Sequence, residues 1–179
     1  MKKVPFVVLA TILFACGSET KDANTKDEVK TEPAEQLTYA YTLKDQPSDN
    51  WDRGDQKNVV MVLNSLKAFE NNKLDECVSY FADSVQFTAD GFDAKLSKDS
   101  LKNLIQTMRG SLKTFEIQME DYEAVISKDK KREWVSLWYK EKWTDNKGMS
   151  DSIFYMDDVR VSNGKITAID EKSRKYPKK

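Results

Sequence analysis

Apolar residues recur at three- and four-residue spacing through the middle of the chain and at two-residue spacing toward its end. Val59, Val62, Leu63, Leu66 and Phe69 lie on one helical face, with Asp55 placed to cap that helix and Asn71-Asn72 to stop it. Leu74, Cys77, Val78 and Phe81 share a face of a short second helix over about 74–81. Val85-Gln86-Phe87 reads as a short strand and Ala89-Asp90-Gly91 as a break. Ser97 then caps a third helix, whose face is Leu101, Leu104, Ile105, Met108 and Leu112.

Beyond residue 112 the period changes to two. Phe115, Ile117 and Met119 alternate with Glu116, Gln118 and Glu120, after which the apolar parity moves to Tyr122, Ala124 and Ile126. A parity change inside one strand predicts a β-bulge near residues 120–122. Glu133 to Tyr139 gives another strand, Asp145-Asn146-Lys147-Gly148 a turn, and Ser152 to Val161 a further strand. Asn163-Gly164 is a hairpin signal, and Lys165 to Lys172 completes the set. Two helices, a strand, a helix and four strands predict an α+β domain, with a curved antiparallel sheet wrapped around N-terminal helices. The domain is expected over residues 51–179, which hold all four tryptophans and six of the eight phenylalanines.

What precedes residue 51 reads differently. Met1-Lys2-Lys3, an apolar run from Val4 to Phe14, then Ala15-Cys16 has the build of a secretory signal. The run is too short for a spanning helix, which needs about 20 residues. Leu13-Phe14-Ala15-Cys16 resembles the lipobox of bacterial lipoproteins, with Phe14 bulkier than the usual small residue. That resemblance implies a signal peptide over residues 1–15 and a lipidated Cys16. The membrane is then a partner through the lipid, at the bacterial cell envelope, the outer membrane favoured over the inner. Residues 17–36 hold Val29 as their one large apolar side chain and no aromatic, so 16–50 reads as lipidated Cys and disordered tether. Tyr39, Tyr41 and Leu43 alternate and are placed to lie along the domain.

Composition narrows the chemistry. The chain has no histidine, which excludes Ser-His-Asp and Cys-His nucleophile systems and histidine-bound metals. Removing Lys2 and Lys3 with the signal leaves 27 basic against 30 acidic residues, so no nucleic-acid partner is expected. Cys16 and Cys77 are the only cysteines, and Cys77, on its apolar helical face, reads as a buried reduced thiol. No glycine-rich phosphate loop, metal-ligand spacing or nucleophile elbow is present, and neither cofactor nor metal is implied.

Three segments resemble the nuclear transport factor 2-like superfamily, which includes SnoaL-like and ketosteroid-isomerase-like proteins. Phe69-Glu70-Asn71-Asn72-Lys73-Leu74-Asp75 is similar to its opening helix, polar turn and second helix. Tyr80-Phe81-Ala82-Asp83-Ser84-Val85-Gln86-Phe87 is similar to its entry into the first strand, and Asn163-Gly164-Lys165-Ile166 to its last hairpin. The resemblance spans about residues 51–176 and implies a cone-shaped, cystatin-like α+β barrel that often encloses an apolar pocket and often dimerises through the sheet. It also locates the isomerase machinery on this chain. The general-base aspartate falls at Ala89, with Asp90 the nearest carboxylate, and the oxyanion-donating tyrosine at Ser65. The second oxyanion donor, a neutral aspartic acid, falls at Asp157. One of three positions is kept, and the histidine of family cyclases and dehydratases is absent.

Candidate site residues follow. Adjacent Asp157 and Asp158 point to opposite sheet faces, so one enters the pocket beside Tyr155. Tyr80, Trp134 and Trp138 complete the expected pocket set. Trp134, Trp138, Lys140 and Lys142 share one parity, and Val135, Leu137, Tyr139, Glu141 and Trp143 the other. Such a strand needs a cover on both faces, supplied by a second subunit or by Trp51 or the Tyr39–Leu43 segment. Asp83 reads as a turn or cap residue, Lys128–Arg132 as a solvated hairpin tip, and the C-terminal lysines and Arg174 as solubilising. The reading leans away from an enzyme. It favours an envelope-anchored domain binding a small apolar ligand or a protein partner, against a hydro-lyase or isomerase built on Asp157 with Tyr155 or Tyr80, and against a dimerising structural module.

Overall fold

The computed structural model describes residues 40–41 and 51–176. The signal segment, Cys16, most of the tether, Tyr39 and Leu43 lie outside the described residues. The elements run β1 (Trp51–Arg53), α1 (Gln56–Glu70), α2 (Leu74–Ser79), β2 (Phe81–Ala89), β3 (Phe92–Ser97), α3 (Lys98–Gly110), β4 (Leu112–Ser127), β5 (Glu133–Asp145), β6 (Ser150–Ser162) and β7 (Lys165–Lys175).

Local chemistry accounts for most of the boundaries. Asp55 accepts a hydrogen bond from the Lys57 amide at 2.8 Å, and Ser97 from the Ser100 amide at 3.1 Å, so both helices carry the expected N-caps. Asn72, just past the end of α1, takes φ +58°, the left-handed conformation that asparagine tolerates. Asn163 and Gly164 both have positive φ, as a two-residue hairpin twisted like its strands requires. The expected bulge is present: the β4–β5 register slips between Met119 and Asp121.

The strands make one seven-stranded sheet in the order β1-β4-β5-β6-β7-β2-β3. The expected antiparallel sheet needs one correction, because β2 pairs with β7 in parallel. That pairing joins strands about 80 residues apart in sequence, with Phe81 opposite Ile166, so no local turn signal announces it. Two strands are additional to those expected. Residues 92–97, which lie between the expected break and the helix capped by Ser97, fold back on β2 through Asp90-Gly91. The other is β1, which Trp51 to Arg53 add to the edge at β4. Against one face of the sheet, α1, α2 and α3 close the core: Val59, Val62 and Ala68 of α1 pack with Leu101, Val135, Leu137 and Val159.

Candidate functional site

A cavity of about 140 Å³ lies between α1, α3 and the concave face of the sheet. It is comparable with the engineered cavity of about 150 Å³ that holds one benzene ring. Its wall is mainly apolar, with Phe69, Phe81, Phe87 and Phe115 among the lining side chains. Met108 lines it and is also 44% exposed, which puts the mouth near the C-terminal end of α3.

One sector of the wall is polar. Tyr139 and Glu141 come from β5, Tyr155 and Asp157 from β6, and Glu171 from β7. The register explains their convergence. Tyr139 is paired with Tyr155, Leu137 with Asp157, and Asp157 with Glu171, so alternation points all of them inward. The Tyr139 and Tyr155 rings stack with centroids 5.5 Å apart. The Tyr139 hydroxyl donates to Asp157 Oδ2 at 2.7 Å, while Asp157 Oδ1 is buried with no hydrogen-bond partner.

Burial dominates the electrostatics here. It pushes the Asp157 carboxyl up to about 8, helped by the neighbouring Glu171 charge and opposed by the Tyr139 hydrogen bond and by Lys172. It raises Glu141 to about 8, with Glu171 and Asp157 adding repulsion. Glu171 rises to about 7 through burial. Both tyrosines are held well above the ordinary phenol value, first by burial and then by these acids. The cluster is therefore largely protonated near neutral pH. In that state it donates hydrogen bonds, and it ionises only where something positive offsets the charge. Among the described residues, no group of three or more Cys, Asp or Glu side chains is placed to hold a metal ion.

Of the pocket residues expected from the sequence, Asp157 and Tyr155 line the cavity and the other three do not. Trp134 and Trp138 project from the opposite face of β5, where Arg160 lies 6.0 Å over the Trp134 ring. Their own parity excludes them, because the inward set on that strand is Val135, Leu137, Tyr139 and Glu141. Tyr80 sits at the C-cap of α2 and packs against the core from its rim. Glu141 and Glu171 also line the cavity and are absent from the expected set. The signal for Glu141 was its shared parity with buried Leu137 and Tyr139. Glu171 needed the β6–β7 register, which places it opposite Asp157.

The family positions are also resolved. Ser65 lines the cavity and its Oγ faces Cys77, donating to that residue's carbonyl at 3.2 Å. Burial pushes the Cys77 thiol up, against a contact from Ser65 that lowers it, so it is a buried thiol as expected. Ala89 ends β2, and Asp90 lies exposed in the following turn, away from the cavity wall. Asp83 is fully exposed and pairs with Lys98 at 3.5 Å. The Lys128–Arg132 tip is more than a solvated turn: Lys130 bonds Asp52 at 2.9 Å and Arg132 lies 4.9 Å over Trp51. It thus fastens β1 to the sheet.

No family model and no curated protein matches the chain. Solved structures do. AusH from Aspergillus nidulans aligns at TM-score 0.56 and 15% identity, over 72% of this chain and 90% of that one. An epoxide hydrolase of LEH-like type from M. tuberculosis aligns at 0.55 and 17%, over 66% and 84%. A nuclear transport factor 2-like protein of unknown function from Burkholderia pseudomallei aligns at 0.52 and 15%, over 66% and 90%. The chain has the mixed α+β fold of these proteins, as the three sequence segments implied, with a curved sheet that stays open between β1 and β3 instead of closing into a barrel.

Proposed function

We propose that the chain is a lipid-anchored protein of the bacterial envelope whose domain binds a small, largely apolar molecule in its cone without transforming it. The cavity carries this reading: it is apolar over most of its wall, polar in one sector, and open near Met108. Binding sites of this type are concave and apolar with a few convergent polar groups. Enzymes share the fold, so the fold alone does not choose between binding and catalysis. Supporting a binding role, Ala89 and Ser65 stand where the isomerase base and tyrosine fall, and Asp90 is displaced to an exposed turn. The rival, proton transfer through Asp157 with Tyr155 or Tyr80, keeps a donor, but Ala89 stands where the isomerase base falls and Tyr80 does not line the cavity.

Differential scanning fluorimetry with single-ring and two-ring apolar compounds tests the binding reading. A saturable rise in melting temperature is expected for some members, as binding to the native state alone requires. No stabilisation by any of them overturns the reading, and turnover of a bound compound overturns the non-catalytic part. The anchor has its own check: Cys16→Ser should move the protein from the detergent phase to the aqueous phase, and unchanged partitioning would remove the lipoprotein assignment.

A second reading is favoured by the outer face of the sheet. Exposed Glu116, Asp121 and Glu123 on β4 form an acidic column, while Lys140, Arg160 and Arg174 lie across β5 to β7. Such a face is complementary to a second copy of itself, and a homodimer through the sheet is proposed on that basis.

A further inference from the structure

Three carboxyl groups share one sector of a cavity whose wall holds no Lys or Arg. Asp157 is 5% exposed, and its Oδ1 has no partner, while its other oxygen accepts from Tyr139. Buried acceptors are almost always satisfied, and this one belongs to a side chain of the cavity wall, where a bound donor can reach it. The aromatic content is equally specific. Tyr139 and Tyr155 stack beside Asp157, and Phe69, Phe87 and Phe115 line other parts of the same space. Aromatic faces and carboxylates attract the same kind of charge, a cation with an apolar body. Two cations of the chain lie near, and neither lines the cavity: Arg109 sits 5.5 Å over the Phe115 ring. Lys172, whose charge reaches Asp157, is paired with Asp158 at 3.0 Å and Asp170 at 2.9 Å.

We infer that the cavity is a site for a protonated amine on a small apolar or aromatic body, its ammonium seated on Asp157 beside Glu171, with Glu141 farther along the same wall. This deepens the ligand-binding reading and rests on it. The ammonium donates to the open Asp157 Oδ1 and neutralises one or more of the acids, and the apolar body fills the space toward Phe69 and Met108. Because burial and mutual repulsion hold these acids protonated, seating the cation drives protons off them. The titratable groups facing the site are Tyr139 and Glu141 from β5, Tyr155 and Asp157 from β6, Glu171 from β7 and Cys77 from α2, while α1 and α3 present Ser65, Ile105 and Met108. Affinity therefore rises with pH as the acids become easier to ionise, and falls once the amine loses its own proton.

The test uses three single-ring probes of matched size: benzylammonium, benzyl alcohol and benzoate. Isothermal titration of the full chain at about pH 7.5 is expected to show benzylammonium binding at least about tenfold tighter than benzyl alcohol, with benzoate weakest. Titrations in buffers of differing ionisation enthalpy should show net proton release for the ammonium and none for the alcohol. Asp157→Asn should lower the ammonium affinity about tenfold and the alcohol affinity by a much smaller factor. Glu171→Gln, at a less buried position, gives the same readout if the first variant does not fold. Equal binding of ammonium and alcohol overturns the amine assignment while leaving the ligand-binding reading intact. Binding of benzoate as tight as that of the ammonium, or no proton release, overturns it as well. Binding of none of the three overturns both.

Discussion

Asp157 concentrates the molecule's unusual chemistry in one side chain. The folded chain holds its proton to about pH 8, whereas the unfolded chain releases it near the ordinary aspartate value of 3.8. Between those limits the native state binds the extra proton, so stability falls as pH rises and levels off above about 8. Glu141 and Glu171 act with the same sign. Asp157→Asn removes one titration from this set. Its stability relative to wild type should improve by on the order of 1 kcal/mol or more between about pH 5 and about pH 8.5. Urea denaturation at both pH values checks this, and a pH-independent difference would mean that Asp157 ionises normally in the fold. Asp157 was legible in the sequence as one of an adjacent pair, because neighbouring strand residues face opposite ways. The tryptophans misled for the same reason read backwards. Size suggested a pocket role, but Trp134 and Trp138 share parity with Lys140 and Lys142, and that charged face is the outer one.

At the scale of elements, legibility followed locality. The caps at Asp55 and Ser97, the bulge after Met119 and the Asn163-Gly164 turn each depend on a few consecutive residues, and each is where the sequence places it. The hairpin of β2 and β3 had an equally local signal that the reading of Ala89-Asp90-Gly91 as a break passed over: Asp90-Gly91 is a two-residue turn, and Phe92, Ala94 and Leu96 alternate after it. By contrast, β1 has three residues and no pattern of its own, and its position depends on distant partners. Gly54, directly after it, makes one of these distant contacts. Its amide donates to the Ala124 carbonyl at 2.8 Å, and a Cβ on it would meet Ala124 and Val125 backbone atoms at 2.9 Å. Backbone cannot yield as a flexible side chain can. Gly54→Ala should cost about 1–3 kcal/mol, as overpacking does, and should loosen β1. A lower denaturation midpoint with faster amide exchange over residues 51–54 is expected. A neutral substitution would show that β1 is not held against Ala124 in the way described.

For the whole molecule, the balance of charge conceals its distribution. The chain carries 29 basic and 30 acidic residues, yet the concave side gathers Glu141, Asp157 and Glu171, while the outer face carries acids along β4 and both signs across β5 to β7. Composition could not reveal this, because which column a residue joins depends on the register of four strands. The outer face covers part of its own apolar surface. Lys140 lies 4.3 Å from the Tyr176 ring centroid and Arg174 4.8 Å from that of Phe154, so their aliphatic stems shield rings that a monomer would otherwise expose. A dimer formed here does not gain its affinity from apolar burial alone. It depends on the acidic β4 column of one copy meeting the basic residues of the other, an attraction that salt screens over about 8 Å at physiological ionic strength. Sedimentation velocity at micromolar concentration should accordingly show a dimer at low ionic strength that dissociates in about 0.5 M salt. Arg174→Glu, which puts a like charge opposite the acidic column, should give a monomer at both salt levels. A wild-type monomer at low ionic strength would eliminate the sheet-mediated dimer, and a salt-resistant dimer would place the interface on a different, apolar surface.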